Sequence, residues 1–457
     1  MKKIITLTAL CSLFYACNQE KPEYSIISGK LENATDGKFV IKGDSFKREI
    51  TPNADGTFTD TLILTYNGVY HIARQPIYLQ KGKNLILKAD AKMLDEITFS
   101  GDLAPENNYI AQKRKMSSEF MGSQRELYSL NETEFLQKVN DLKTKQITLL
   151  NDVQAFTVDN FKENELKEID YQRDIYLSNY QKNHRILSKN NEFTVSENFP
   201  KPQTTDYDNA EAYYLSPSYR NLVLDYFTTK SFDTYKKEFG DAYNQEGFYK
   251  HLLANFSKIK SANIKNGIVP YELAYGISPS NKIVEQLYNE IMANTTDPYL
   301  KEEITEKYNT VKALTPGNPS PKFSFENHKG GKTSLDDLKG KFVYIDVWAT
   351  WCGPCIREIP ELKKVEQKYH SKNIEFVSIS IDEPKHHQKW HDFVTSEGLV
   401  GTQLIADNAW QSDFVKKYAI SGIPRFILLD TNGNIISADA PRPSDEELIK
   451  TFTELGL

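Results

Sequence analysis

Three hydrophobic patterns follow one another along the chain. From Tyr24 to Gly101, apolar residues come in short alternating runs such as Lys38-Phe39-Val40-Ile41, Asp60-Thr61-Leu62-Ile63-Leu64 and Asn84-Leu85-Ile86-Leu87. A period of two sends one face of a strand into a core, and turn pairs at Asp36-Gly37, Asp55-Gly56, Asn67-Gly68 and Lys81-Gly82 separate the runs. The pattern predicts an all-β domain over residues 24–103, a small sandwich or open barrel without a catalytic motif. Over residues 104–312 the apolar period lengthens to that of a helix, most plainly from Glu134 to Phe156 and from Asp159 to Leu187. Pro200 and Pro202 in polar surroundings make Ser188 to Asp208 a loop, and a helix restarts at Tyr219. The tyrosines of this region recur at helical spacing, which predicts core packing rather than a ligand groove.

The third pattern begins after Thr315-Pro316-Gly317-Asn318-Pro319-Ser320-Pro321, which cannot continue a helix and makes residues 313–321 a linker. Within 322–457, Phe323-Ser324-Phe325 and the turn Lys329-Gly330-Gly331-Lys332 predict a hairpin. Phe342 to Trp348 is an apolar, β-branched run, the signature of a buried parallel strand. Ile356, Ile359, Leu362, Val365 and Tyr369 then recur at three and four residues, one stripe of a helix over 352–370. A strand over 374–381 follows. Asp382 to Gln411 is an insertion with its own short helix and a strand-like Thr402-Gln403-Leu404-Ile405. A helix near Ser412–Tyr418, a strand over 425–430, the turn Thr431-Asn432-Gly433 and a helix over 444–455 close the chain, the last capped by Ser444 with Glu447 three residues on. The chain is therefore multidomain: an N-terminal all-β domain, a helical middle region and a C-terminal α/β domain.

With 457 residues, 39% of them hydrophobic and 12% aromatic, the chain builds cores in each part. A net charge of −6 gives no electrostatic case for binding nucleic acid. Residues 1–17, MKKIITLTALCSLFYAC, are a positive start and an apolar run too short to span a bilayer, followed by polar residues. This predicts export. Ala16-Cys17 resembles a bacterial lipoprotein cleavage site, which implies a lipidated Cys17 tying the protein to a membrane; the alternative is an ordinary signal peptide with a stray cysteine. Cys11 leaves with the signal.

Only Cys352 and Cys355 then remain as free thiols, in Trp351-Cys352-Gly353-Pro354-Cys355 at a strand-to-helix junction. The attacking form of cysteine is the thiolate, and the free N–H groups and positive dipole end of a helix N-terminus favour it. Cys352 is expected to be the exposed nucleophile and Cys355, inside the first turn, the resolving thiol. Pro354 stands near the first helical position, where a missing N–H costs little. A zinc site needs four ligands and no second cysteine pair exists. His387 and His391 stand four apart beside His386, but without an intervening HEXXH glutamate they predict a solvated helix face. No metal and no cofactor are expected.

WCGPC after a hydrophobic strand resembles the thioredoxin active site, and the wider stretch is similar to the TlpA/ResA-like envelope thioredoxins. The resemblance implies a C-terminal thioredoxin fold and thiol–disulfide oxidoreduction in the cell envelope. It assigns Asp346, six residues before Cys352, to the buried carboxylate that moves the second cysteine's proton, and Glu358 to an acidic residue of the ResA-like branch. Ile423-Pro424 matches the segment whose cis-proline lies against the active-site disulfide. Arg425 stands where threonine is usual, and Ser378 about where thioredoxin has a lysine. The implied partners are protein disulfides, apocytochromes among them, and a membrane electron donor, and the implied direction is reduction. The β domain resembles one placed ahead of envelope thioredoxins in Bacteroidetes-type bacteria. The rival reading is an envelope binding protein whose N-terminal two-thirds recognises a partner, with the thioredoxin unit subordinate. A peroxidase reading is weakened because a CxxC pair replaces the lone peroxidatic cysteine.

Overall fold

Period-two alternation folds the described residues of the N-terminal region into eight strands: β1 Tyr24–Glu32, β2 Phe39–Gly43, β3 Phe46–Ile50, β4 Thr57–Ile63, β5 Gly68–Ile72, β6 Gln75–Leu79, β7 Asn84–Asp90 and β8 Thr98–Ser100. The structure, a computed structural model, describes residues 23–33, 38–93, 96–240 and 244–457. The expected signal, its Cys17 and the Asp36-Gly37 turn lie outside these residues. Two four-stranded sheets, ordered β4-β1-β7-β8 and β3-β2-β5-β6, share one core that includes Ile27, Phe39, Ile41, Tyr70 and Leu85. The result is a sandwich. β1 runs antiparallel to β4 but parallel to β7. Gly29, at φ +147°, lies so near the Leu87 carbonyl that a Cβ would meet its oxygen at 1.8 Å.

The helical region comprises α1 Ala104–Met121, α2 Gln124–Ser129, α3 Glu132–Asp152, α4 Phe161–Ser188, α5 Ala210–Leu215, α6 Pro217–Phe239, α7 Gln245–Phe256, α8 Ala262–Ala274, α9 Val284–Asn294 and α10 Pro298–Ala313. Asn131 caps α3 through the Glu134 N–H, and the Glu134 carboxylate accepts back from the Asn131 N–H. Aromatic residues here are core: Phe135 stacks on Tyr180 at 4.1 Å, and both are fully buried. The expected loop between α4 and α5 is pinned by Asp174, whose carboxylate accepts from the Gln203 and Thr204 N–H groups at 2.8 Å each. The chain divides into two compact units inside α6, the first ending at Tyr226 and the second running from Phe227 to Leu457, so the helical region is shared between them.

The C-terminal elements are β9 Ser324–Asn327, β10 Lys332–Ser334, β11 Phe342–Trp348, α11 Gly353–Tyr369, β12 Ile374–Ser380, α12 His387–Ser396, β13 Thr402–Ile405, α13 Asp413–Lys417, β14 Arg425–Leu429, β15 Ile435–Ser437 and α14 Glu446–Glu454. They form one seven-stranded sheet in the order β10-β9-β13-β12-β11-β14-β15, with β11 parallel to β12 and antiparallel to β14. This is a thioredoxin-like α/β fold in which the apolar strand β11 is central. Val343, Ile345 and Val347 face one core, while Tyr344 faces a second core with Leu362, Val365 and Tyr369 of α11 and Phe452 of α14.

Two expectations change. The segment after α10 is not a free spacer: the Gly317 N–H donates to Ile435, the Ser320 N–H to Gly433, and Leu314 is buried among Phe323 and Phe325. Its prolines stop a helix but leave enough N–H and C=O groups to pair with the sheet edge. The last helix is capped by Asp445, not Ser444, because the Asp445 carboxylate accepts from the Glu447 N–H at 2.9 Å and the Ser444 hydroxyl donates to Glu358 instead. Among the described residues no helix is long and apolar enough to cross a membrane.

Candidate active site

β11 delivers the chain to the site. Its end is held by Asp382, fully buried past the end of the neighbouring β12, whose carboxylate accepts from the Thr350 N–H at 2.9 Å, the Thr350 hydroxyl at 2.8 Å and the Ser380 hydroxyl at 2.7 Å. This fixes the Ala349-Thr350-Trp351 bend immediately ahead of the cysteines. Cys352 is the N-cap of α11, Gly353 and Pro354 open its first turn, and Cys352 and Cys355 form a disulfide with Cα atoms 5.3 Å apart.

Both cysteines are buried, each 4% exposed, so the expected exposure of Cys352 does not distinguish them in this oxidised form. They differ in hydrogen bonding. The Cys352 Sγ accepts from the Cys355 N–H at 3.2 Å, using one of the free donors of the helix start. Beside the disulfide lies an apolar surface: Trp351 is 50% exposed, Ile356 is exposed as well, and Trp351 lies 6.4 Å from the exposed ring of Trp410. Ile356 therefore leaves the predicted buried stripe, which Ile359, Leu362, Val365 and Tyr369 keep. Ile423 packs against the core that contains both cysteines, and the Ile423–Pro424 peptide is cis. Arg425, directly after it, places its Nη1 3.1 Å from Asp439.

Asp346 is buried on the α11 side of the sheet, two residues from Tyr344 and directly beside Ser378 of β12. Burial pushes its carboxyl up to about 8, helped by the nearby charges of Glu366 and Glu358. Glu358 makes its own hydrogen bonds elsewhere, accepting from the Ser444 N–H at 3.1 Å and hydroxyl at 2.9 Å. It ties α11 to the start of α14 while standing close enough to Asp346 to repel a second negative charge. Of the histidines, His387 approaches Glu326 at 2.8 Å and His391 packs on His328. No group of three or more metal-ligating side chains occurs among the described residues.

Sequence reading missed Asp382, Glu366 and Trp410. Asp382 carried one weak signal, an acidic residue directly after a buried strand. Glu366 is masked by its lysine-rich helix, and Trp410 meets Trp351 only through the fold.

A central parallel strand, a helix opening on a cysteine disulfide and a cis-proline segment define a thioredoxin-fold thiol-disulfide oxidoreductase. The Redoxin family model matches residues 315–452. Thiol-disulfide oxidoreductase ResA of Bacillus subtilis is 30% identical over 133 residues, which cover 28% of this chain and 72% of that protein. ResA of Bacillus anthracis is 30% identical over 132 residues, covering 29% and 73%. A solution structure from Bacteroides vulgatus is 51% identical, covering 31% of this chain and 92% of that chain at a TM-score of 0.28. Through this C-terminal part the chain belongs to the ResA-like thiol-disulfide oxidoreductases.

Proposed function

We propose that the protein is an exported reductase of protein disulfides, held to a membrane by a lipid on Cys17 and recharged by a membrane electron donor. In this reading residues 1–17 are the signal, 24–103 a β domain, 104–312 a helical region and 313–321 a connecting segment to the thioredoxin domain 322–457. The observation that carries it is the Cys352–Cys355 pair at the start of α11, with the Cys355 N–H on the Cys352 sulfur. In the reduced state that donor and the helix dipole favour the Cys352 thiolate.

Cys352 thiolate attacks one sulfur of a substrate disulfide, the S–S bond breaks, and the departing substrate thiolate takes up a proton. A mixed disulfide now joins Cys352 to the substrate. Cys355 gives its proton to the Asp346 carboxylate, and its thiolate attacks the Cys352 sulfur. The second substrate thiolate leaves, and two electrons have passed from the dithiol to the substrate. A carboxyl that titrates near 8 exchanges protons in the range where the reaction runs. Pro424 and Ile423, by resemblance, form the backbone that receives the substrate, and the exposed rings of Trp351 and Trp410 offer a protein substrate apolar contact.

The roles separate on substitution. Cys352→Ser abolishes disulfide reduction, while Cys355→Ser accumulates a mixed disulfide through Cys352. Faster alkylation of Cys355 than of Cys352 in the reduced protein would reverse the assignment. Anchoring is tested separately: Cys17→Ser releases the protein from membranes or blocks its processing, and mass spectrometry finding an unmodified mature N-terminus contradicts it. An acylated Cys17 with two or more chains binds membranes stably.

A further inference from the structure

We propose that Glu366 and the buried row Asp346-Ser378-Gln403 form the route by which the proton taken from Cys355 leaves the protein, into the cavity beside Gly401. The proposal rests on the reading of Asp346 as proton acceptor and extends it to the fate of that proton.

The strand register builds the row. Asp346 of β11 lies opposite Ser378 of β12, and Ser378 opposite Gln403 of β13, so the three side chains share one sheet face. All three are buried, on the face where Tyr344 and Phe376 pack under Leu362, Val365 and Tyr369 of α11. On this side the row lies among apolar side chains, and the next buried polar group along β12, Ser380, is satisfied by Asp382, so a line of polar side chains across three strands calls for a use. Gln403 is 4% exposed; its Nε2 donates to the Val400 carbonyl at 2.7 Å, and its Oε1 has no partner among the described residues. A buried acceptor of that kind is where water binds.

Glu366 stands near the Gln403 end of the row, against Gly401 two residues before it. It is one turn beyond Leu362 on α11, it is buried, and among the described residues nothing hydrogen-bonds or pairs with its carboxylate. A Cβ at Gly401 would come within 2.9 Å of Glu366 Oε1, so the carboxylate lies against the glycine. It lines a cavity of about 590 Å³ with Lys341, Lys363, His370, Glu375 and Gly401. The groups around it are accounted for. Lys363 Nζ donates to the Glu397 carbonyl, Glu375 pairs with Lys341 at 2.9 Å and accepts from the Thr402 hydroxyl, and His370 Nδ1 meets the Gln367 carbonyl. Glu358 on the same helix, Asp346 on β11 and Asp445 at the start of α14 also face this side of the sheet. Burial pushes Glu366 up to about 7, opposed by Lys363 and reinforced by Glu375. Carboxyls that titrate near 8 and near 7 exchange a proton with little bias.

Asp346, once protonated by Cys355, passes that proton through water held by Ser378 and Gln403 to the Glu366 carboxylate, which releases it to solvent in the cavity. No electrons move in this step. The alternative role for Glu366 is structural, and the kinetics separate the two. With full-length protein kept reduced by dithiothreitol while it turns over a disulfide peptide, Glu366→Gln is expected to leave mixed-disulfide formation unchanged. Resolution slows about five- to tenfold, less than the roughly hundredfold or more of a group that moves a proton at the reacting atom, because Glu366 acts one step behind Asp346. Added imidazole, a diffusible proton carrier, restores the rate, and Glu366→Asp recovers part of it. In an Asp346→Asn background Glu366→Gln adds nothing. An unchanged resolution rate in Glu366→Gln overturns the route, as does a loss that touches both steps equally and ignores imidazole. If Asp346→Asn itself leaves resolution unchanged, the acceptor reading falls and the route with it. If Asp346→Asn slows resolution and Glu366→Gln does not, only the route falls.

Discussion

Asp346 shows how much one residue's surroundings decide. A charged residue inside the apolar run Phe342–Trp348 is legible from sequence alone, because burial of a carboxyl needs a reason. Its partner Glu366 is not legible, since lysines at 363, 364 and 368 make that stretch look solvated. Both carboxyls are raised by burial, to about 8 and about 7. The folded state thus holds their protons more tightly than the unfolded chain, where carboxyls titrate near 4. The stabilisation is fully present below that unfolded value and is lost as pH rises through the folded values. The oxidised protein is therefore expected to lose stability between about pH 4 and 8. Asp346→Asn removes part of this slope, so its urea midpoint gains on the wild type as pH rises. Parallel midpoint curves for the two proteins would contradict the assignment.

At the scale of elements, α11 was placed by its stripe and its start by the CGPC sequence, and both follow from local rules. What local rules do not reach is how neighbouring segments hold it. The Ser444-x-x-Glu447 spacing mimics a capping box, but Glu358 reaches across from α11 to take Ser444, and Asp445 caps α14 instead. Asp382 likewise acts on Thr350 from beyond the end of β12. Asp382→Ala leaves a buried N–H and two hydroxyls without their acceptor, an expected loss of about 2–3 kcal/mol in chemical denaturation, with activity falling as the bend before Cys352 loosens. A stability within experimental error of wild type would remove Asp382 from the account. Trp410 tests the apolar surface. Trp410→Ala is expected to raise KM for a protein disulfide several-fold while leaving reduction of a small aromatic disulfide unchanged, and equal effects on the two substrates would contradict a docking role.

At the scale of the molecule, three patterns announced a β region, a helical region and an α/β fold. The division within α6 was not announced, because a hydrophobic stripe says that a helix is buried but not against what. The prolines of 315–321 concealed how firmly that segment joins the last fold. Leu314 is buried in its core, so a fragment beginning at 322 is expected to be less stable than one that keeps α10, and Leu314→Ala in the intact chain to cost about 2–4 kcal/mol. Comparing activity of an α10-containing C-terminal fragment with the whole protein also separates an enzyme from a binding protein that carries a subordinate thioredoxin unit. Direction of electron flow is the central claim. Gly353-Pro354 between the cysteines is the dipeptide of thioredoxin, whose couple lies at about −270 mV, and it argues against the strongly stabilised thiolate of an oxidant. The decisive measurement is the midpoint potential of the Cys352–Cys355 couple in the full-length protein, equilibrated against glutathione and dithiothreitol buffers. The account predicts a value below roughly −200 mV, whereas a value near about −120 mV, that of strong disulfide-forming oxidants, would contradict it.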